Sequence, residues 1–183
     1  MHGMREHSVV LTRHPDTPGA AVRRIGVRLA KLPQARLALS YAIEGEIERL
    51  RIPAPQPASR TDGLWQHTCC EVFIARKDHP GYHEFNFAPS GAWATYAFAR
   101  YRAPSADRAP EPRLAVRVAR DKLELDAEID LDRLSPLHAQ AKLALALAVV
   151  IEHQDGSIAY WALAHPAGAP DFHHPHAFAL ELE

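Results

Sequence analysis

The chain has 183 residues, a length that suits one domain with a buried core better than two full domains. Its 21 basic and 22 acidic residues leave a formal net charge of -1, so charge gives no reason to expect a nucleic-acid partner or an acidic membrane surface. The first seven residues are polar, and no stretch approaches the roughly 18 apolar residues of a spanning helix. We therefore expect a cytoplasmic protein with neither a nucleic-acid nor a membrane partner.

Proline separates the patterned parts of the chain. Most of the 15 prolines lie at residues 53–57, 104–112 and 166–175, and each stretch is too short to link independent domains. The sequence therefore predicts a single domain over residues 1–183, with loops at these stretches and a flexible tail at residues 1–7.

The first predicted strands cover residues 8–12, 22–30 and 36–43. In the third strand every second residue is large and apolar, which is the side-chain period of an extended chain with one buried face. The Glu44-Gly45 step predicts a turn that folds this strand back onto residues 47–52.

The next predicted strand, residues 70–76, begins beside two adjacent cysteines. Neighbouring strand residues point to opposite faces, so Cys69 and Cys70 are expected to be reduced, buried thiols rather than a disulfide. With Cys70 facing inward, Glu71 lies on the opposite face.

Residues 82–88 and 92–101 are predicted to form a hairpin around a Pro-Ser-Gly turn. If Ser90 and Gly91 are the two central turn residues, one face carries only large apolar or aromatic side chains, which are Phe85, Phe87, Tyr96 and Phe98. The other face then carries Tyr82, Glu84, Asn86, Trp93 and Thr95. A three-residue loop would mix the two sets, so the pattern favours the shorter turn.

This second face combines a carboxylate, an amide and large aromatic rings. Sugar hydroxyls exchange hydrogen bonds with Glu and Asn, and the C–H face of a sugar stacks on Trp or Tyr. Glu71, Glu84, Asn86 and Trp93 therefore predict a site for a saccharide or a similar polar small molecule. The alternative is a solvated sheet face with Trp93 covered by a loop.

Further strands are predicted at 114–118, 122–131, 143–152, 158–164 and 177–182. The first two should form a hairpin, and the third, apolar on both faces, should lie centrally in a sheet. About a dozen short strands with at most one short helical turn predict an all-β fold, a two-sheet antiparallel β-sandwich of jelly-roll-like form.

Several blocks of the sequence resemble a known group of proteins. They are residues 61–74, 81–93, 151–152, 160–166 and 170–175. They resemble the bacterial DOMON-like proteins, a group similar in turn to family-9 carbohydrate-binding modules. The resemblance extends over residues 8–182 and implies a β-sandwich that binds sugars in some relatives and haem in others.

The resemblance also implies site residues. The acidic strand residue and the aromatics of the carbohydrate-binding relatives match Glu71, Trp65 and Trp93. Arg100 and Arg102 are candidates for their arginine, although the predicted hairpin places both on the other face. Haem-binding relatives use axial Met or His ligands, and the two methionines here, Met1 and Met4, are terminal.

The C-terminal segment is rich in histidine. Asp171, His173, His174 and His176 are suitable ligands for zinc or iron, although their spacing matches no established metal site. We interpret Asp171, His173 and His174 as a loop that borders the ligand face. A metal held by His173, His174 and His176 is the alternative.

These patterns predict a binding domain without catalytic activity and without a cofactor, and they leave the oligomeric state open. One alternative is a protein that binds a divalent metal or haem through the C-terminal histidines. The other is a glycoside hydrolase, for which the carboxyls of Glu71 and Glu84 would have to flank one bond at about 5 to 10 Å. Ser90 lies in no strand-to-helix elbow, and no glycine-rich phosphate loop precedes a helix.

Overall fold

The computed structural model describes residues 6–106 and 109–183. Its strands are β1 (Glu6–Arg13), β2 (Val22–Leu32), β3 (Arg36–Gly45), β4 (Cys69–Arg76), β5 (Tyr82–Phe87), β6 (Trp93–Arg100), β7 (Ala103–Pro104), β8 (Arg113–Val118), β9 (Lys122–Asp130), β10 (Leu143–Glu152), β11 (Ile158–Ala162) and β12 (Leu180–Leu182). Short 3-10 helices occur at Ile47–Arg49, Leu64–Gln66, Leu131–Arg133 and Pro175–Ala177. None of the helices in the described ranges is long and apolar enough to cross a membrane.

Two residues of the predicted flexible tail, residues 1–7, belong to the first strand. Residues 1–5 lie outside the described residues, as do the two methionines. Glu6 and His7 belong to β1, where they pair with Ala30 and Leu29 of β2. The backbone hydrogen bonds of this pairing explain why the strand begins earlier than its apolar residues indicate.

The strands form two antiparallel sheets that share β1. The first has the order β1-β2-β3-β9-β8, and the second has the order β7-β6-β5-β4-β10-β11, with β12 also paired to β10. In β1, Leu11 still pairs with β2, whereas Thr12 and Arg13 pair with β11. The predicted all-β fold of about a dozen antiparallel strands is confirmed.

The core lies between the inner faces of the two sheets. In β3 and β9 every second residue is buried, as the alternation predicts. The second sheet contributes alternate residues of β4, β5 and β10, among them Val72, Phe85 and Leu147. Each such side chain stabilises the fold by about 1.5 to 3 kcal/mol relative to its exposed state. The Tyr41 hydroxyl connects the sheets, since it donates a hydrogen bond of 2.9 Å to the carbonyl oxygen of Glu71.

Strand β10 is central, as predicted, because β4 covers one of its edges and β11 and β12 cover the other. Cys69 and Cys70 are also buried, free thiols as expected. The hairpin of β8 and β9 is confirmed, with Val118 opposite Leu123.

The turn predicted at Gly45 is wrong. Strand β3 continues through Gly45, which pairs with Val22, and the chain then enters the 3-10 helix Ile47–Arg49 instead of a returning strand. A Cβ at Gly45 would lie 2.1 Å from the carbonyl oxygen of Ala21. The glycine therefore allows two backbones to approach closely. In the sequence, a glycine needed for this reason cannot be distinguished from a turn glycine.

Candidate ligand-binding site

The hairpin of β5 and β6 has a different register from the predicted one. Phe87 lies opposite Trp93, and Glu84 lies opposite Tyr96. The Ala88 amide donates to the Ala92 carbonyl at 2.9 Å, so residues 89–91 form a three-residue loop. Gly91 has a φ of +94°, as expected for the left-handed residue of such a loop. The two-residue turn predicted from the sequence is therefore wrong.

A shift of one residue moves every side chain of β6 to the other face of the sheet. Trp93 and Thr95 lie on the inner face with Phe85 and Phe87, whereas Tyr96 lies on the outer face with Glu84. Phe98 is on that outer face as well, since it pairs with Tyr82 and stacks on its ring. The predicted grouping of Trp93 with Glu84 is wrong, because the sheet separates the two side chains.

The outer face of the second sheet holds a cleft of about 490 Å³. Its floor is formed by Glu71, Phe73, Glu84 and Val150. Its walls contain the aromatic residues Tyr96, Phe98, Tyr160 and Phe172. The remaining lining residues are Trp65, Arg102, Pro170 and His173. This size is typical of pockets that hold small molecules.

Four of the predicted site residues come together in this cleft, namely Trp65, Glu71, Glu84 and His173. Asn86 is fully buried beneath it, where its Nδ2 donates to Oε1 of Glu84 at 3.0 Å. Asp171 lies beside the cleft and holds Arg102, whereas Trp93 lies on the other face.

Two acidic side chains lie side by side on the floor. Glu71 faces Asn86 and Phe73 faces Glu84 across β4 and β5, so the two glutamates are diagonal neighbours on one face. Glu71 is 2% exposed and Glu84 is 5% exposed. Oε1 of Glu71 is buried without a hydrogen-bond partner in the described part of the chain.

This burial changes the acidity of both carboxyls. Loss of hydration raises the pKa of Glu71 well above its ordinary value, and the charge of Glu84 raises it further. Burial raises the pKa of Glu84 to about 7, against the Asn86 hydrogen bond and the charge of Arg102, which both lower it. Both carboxyls are therefore weaker acids than a solvated glutamate.

Arg102 anchors one side of the cleft. Its Nη2 lies 2.8 Å from Oδ1 of Asp171, and the Tyr101 hydroxyl donates to the other carboxylate oxygen at 2.6 Å. Burial would raise the pKa of Asp171, but the hydrogen bonds from Tyr101 and Arg102 lower it overall. The ion pair joins the turn after β6 to the C-terminal loop.

His173 is held as a neutral imidazole. The Arg102 backbone amide donates to the Tyr82 hydroxyl at 3.1 Å, and that hydroxyl lies 2.8 Å from Nδ1 of His173. On the other side of the ring, Nε2 lies 3.6 Å from Oε2 of Glu84. Burial and the charge of Arg102 lower the pKa of His173 to about 4.

The other two candidate metal ligands lie apart from the cleft lining. Nδ1 of His174 accepts a hydrogen bond of 3.1 Å from the His176 amide, and the two rings are 4.8 Å apart. Within residues 6–106 and 109–183, no group of three or more His, Cys, Asp or Glu side chains is arranged to hold a metal ion.

Sequence reasoning missed several residues of the cleft. Tyr96 and Phe98 were assigned to the core because of the hairpin register, and the same error placed Arg102 on the wrong face. Tyr160 had a usable signal, since it alternates in β11 with the inward-facing Trp161. Phe172 had none beyond its place next to Asp171.

Comparison with known proteins identifies the fold. No family model matches the sequence, and no curated protein matches it either. A solved structure from Bacteroides uniformis, provisionally described as a carbohydrate-binding protein, superposes with a TM-score of 0.65 at 14% identity, covering 94% of this chain and 83% of that one.

Two structures of a family-9 carbohydrate-binding module from Caldicellulosiruptor kristjanssonii are also similar. The complex with cellotriose has a TM-score of 0.51 at 11% identity, covering 86% of this chain and 75% of that one. The complex with glucose has a TM-score of 0.51 at 10% identity, covering 86% and 76%. The chain therefore has the fold of the family-9 carbohydrate-binding modules.

Proposed function

We propose that this protein binds a saccharide without transforming it, and that the cleft on the outer face of the second sheet is the binding site. The observation that carries the proposal is the combination of aromatic walls with buried acidic groups in one cleft. Structures with the same fold hold cellotriose and glucose, which supports a saccharide as the ligand.

The chemistry of the cleft suits a sugar ring. Tyr96, Tyr160 and Phe172 offer faces for the C–H groups of the ring. Glu71 and Glu84 offer oxygens that exchange hydrogen bonds with hydroxyls. A sugar hydroxyl would give Oε1 of Glu71 a partner, which it lacks within the described ranges. Residues 61–74 and 81–93 resemble DOMON-like proteins, and the sugar-binding members of that group support the same assignment.

The acid pair also favours a second candidate, a glycoside hydrolase, because a carboxyl with a pKa near 7 suits a general acid. Binding without catalysis is the better proposal. Glu71 and Glu84 are neighbours on the same sheet face and so approach a ligand from the same side, whereas a hydrolase needs its two carboxyls on either side of the scissile bond.

Titration of the full chain with glucose and with cellotriose tests the proposal. We expect saturable binding by calorimetry and a change in tryptophan emission, because Trp65 lines the cleft and is 51% exposed. Phe172→Ala should weaken binding about ten-fold, since a lost stacking contact is worth about 1 kcal/mol in addition to its buried area.

Leu137→Ala is the matched control, because Leu137 is an exposed apolar residue outside the cleft lining. It should leave the affinity unchanged. Absence of binding by every saccharide, or equal affinity of the Phe172→Ala variant, would contradict the proposal. Release of product from chromogenic glycosides would instead favour the hydrolase.

A further inference from the structure

We propose that the saccharide bound in the cleft carries a free amino group, whose ammonium lies against the carboxyls of Glu71 and Glu84. The inference rests on the proposed saccharide-binding function and narrows it to a class of ligand. It follows from an acidic floor that has no basic side chain within hydrogen-bond distance among residues 6–106 and 109–183.

The first observation is the unsatisfied carboxyl of Glu71. The residue is 2% exposed, it lines the cleft, and its Oε1 has no hydrogen-bond partner among the residues that the structure describes. A buried polar atom in this state costs free energy that a ligand can recover. An ammonium group supplies three N–H donors together with a positive charge, whereas a hydroxyl supplies one neutral donor.

The second observation is the charge that faces the acid pair. Arg102 is the one cationic side chain that lines the cleft within the described ranges, and it is already bound to Asp171 and Tyr101. His173 adds no charge, because burial lowers its pKa to about 4. Its Nε2 is 3.6 Å from Glu84, too far for a hydrogen bond.

The other titratable groups around the pair are neutral. Burial raises the pKa of Cys69, of Tyr82 and of Tyr96, so thiol and hydroxyls stay protonated at neutral pH. The net charge of the cleft therefore becomes negative once Glu84 begins to ionise. This negative charge attracts a cation and disfavours a ligand that carries its own carboxylate.

The third observation is the aromatic wall. Tyr96, Phe98, Tyr160 and Phe172 surround the acidic floor. Aromatic faces attract ammonium groups as well as sugar C–H groups, and this attraction is strongest where water is excluded. A neutral sugar would use the aromatic rings but would leave the acid pair without a counter-charge.

The test compares matched sugars on the full chain: glucose, glucosamine, N-acetylglucosamine and glucuronic acid. At about pH 7 we expect glucosamine to bind about ten-fold more tightly than glucose or N-acetylglucosamine, and glucuronic acid to bind most weakly. Binding should also release protons from the acid pair, so the calorimetric enthalpy should change with the ionisation enthalpy of the buffer.

Glu84→Gln and Glu71→Gln should each reduce the ratio of glucosamine affinity to glucose affinity. Glu124→Gln, on the outer face of the other sheet, is the matched control and should leave that ratio unchanged. Equal or tighter binding of glucose overturns the amine proposal and leaves the saccharide function intact. A preference for glucosamine that survives both glutamine variants also overturns it, and absence of binding by all four sugars rejects both proposals.

Discussion

Replacement of Glu84 by glutamine is expected to raise the free energy of unfolding of the unliganded protein by about 3 kcal/mol at about pH 8. Burial raises the pKa of this carboxyl from its ordinary 4.5 to about 7, and each unit corresponds to about 1.36 kcal/mol. Glutamine keeps the size of the side chain, and its carbonyl can accept the hydrogen bond from Asn86. The substitution therefore removes the penalty of a buried charge at little cost in packing.

The sign follows from proton binding. Because the folded pKa lies above the unfolded one, the folded protein holds a proton that the unfolded chain has lost between 4.5 and about 7. The stability of the wild-type protein should therefore fall as the pH rises through this window. Below it both states are protonated, so the advantage of Glu84→Gln should disappear.

Urea unfolding at about pH 4.5 and about pH 8 measures this difference. Glu124→Gln is the control, because hydrogen bonding to Lys122 lowers the pKa of Glu124. Loss of this carboxylate should not raise the free energy of unfolding at the higher pH. Equal destabilisation by Glu84→Gln at both pH values would show that the ionised carboxyl carries no penalty in the fold.

Replacement of Trp93 by alanine is expected to lower the free energy of unfolding by about 3 kcal/mol and to leave saccharide affinity nearly unchanged. Trp93 lies opposite Phe87 on the inner face of β6, and its backbone is hydrogen-bonded to Ser59 and Thr61. Its indole is partly covered and does not line the cleft. The substitution should therefore lower the stability of the protein without weakening saccharide binding.

Trp93→Phe distinguishes packing from ligand contact. The indole Nε1 is buried without a hydrogen-bond partner in the described ranges, so phenylalanine keeps most of the ring and removes an unsatisfied donor. This variant should be nearly as stable as the wild type in chemical unfolding. A folded Trp93→Phe protein that no longer binds saccharide would place Trp93 in the site after all.

The error at Trp93 has a specific physical origin. A Pro-Ser-Gly turn is compatible with a two-residue or a three-residue loop, because glycine accepts the positive φ that either geometry requires. The apolar residues of β6 did not discriminate between them, since Tyr96 and Phe98 are as suitable for an aromatic cleft as for a core. Loop length alone decided which face they occupy.

The sequence predicted the face of Glu71 correctly, because that prediction depended on the alternation within one strand and not on the register of a hairpin. Cys70 and Val72 face the core, so their neighbour faces the cleft whatever the next hairpin does. The positions of Arg102 and His173 in the cleft could not be predicted from a single strand. Their hydrogen bonds to Asp171 and Tyr82 join segments that are distant in sequence.

The pattern of apolar residues was sufficient to predict the all-β sandwich, the buried cysteines and the central position of β10. Alternation indicates a strand with one buried face, and a continuous apolar run indicates a strand covered on both faces, so each is a property of a single strand. The composition of the cleft depended on contacts between strands and loops. Its aromatic wall required the register of β6, and its ion pair required the C-terminal loop to pack beside the turn that follows β6. Local sequence carries little information about either, since both are decided by the packing of segments that meet only in the folded chain.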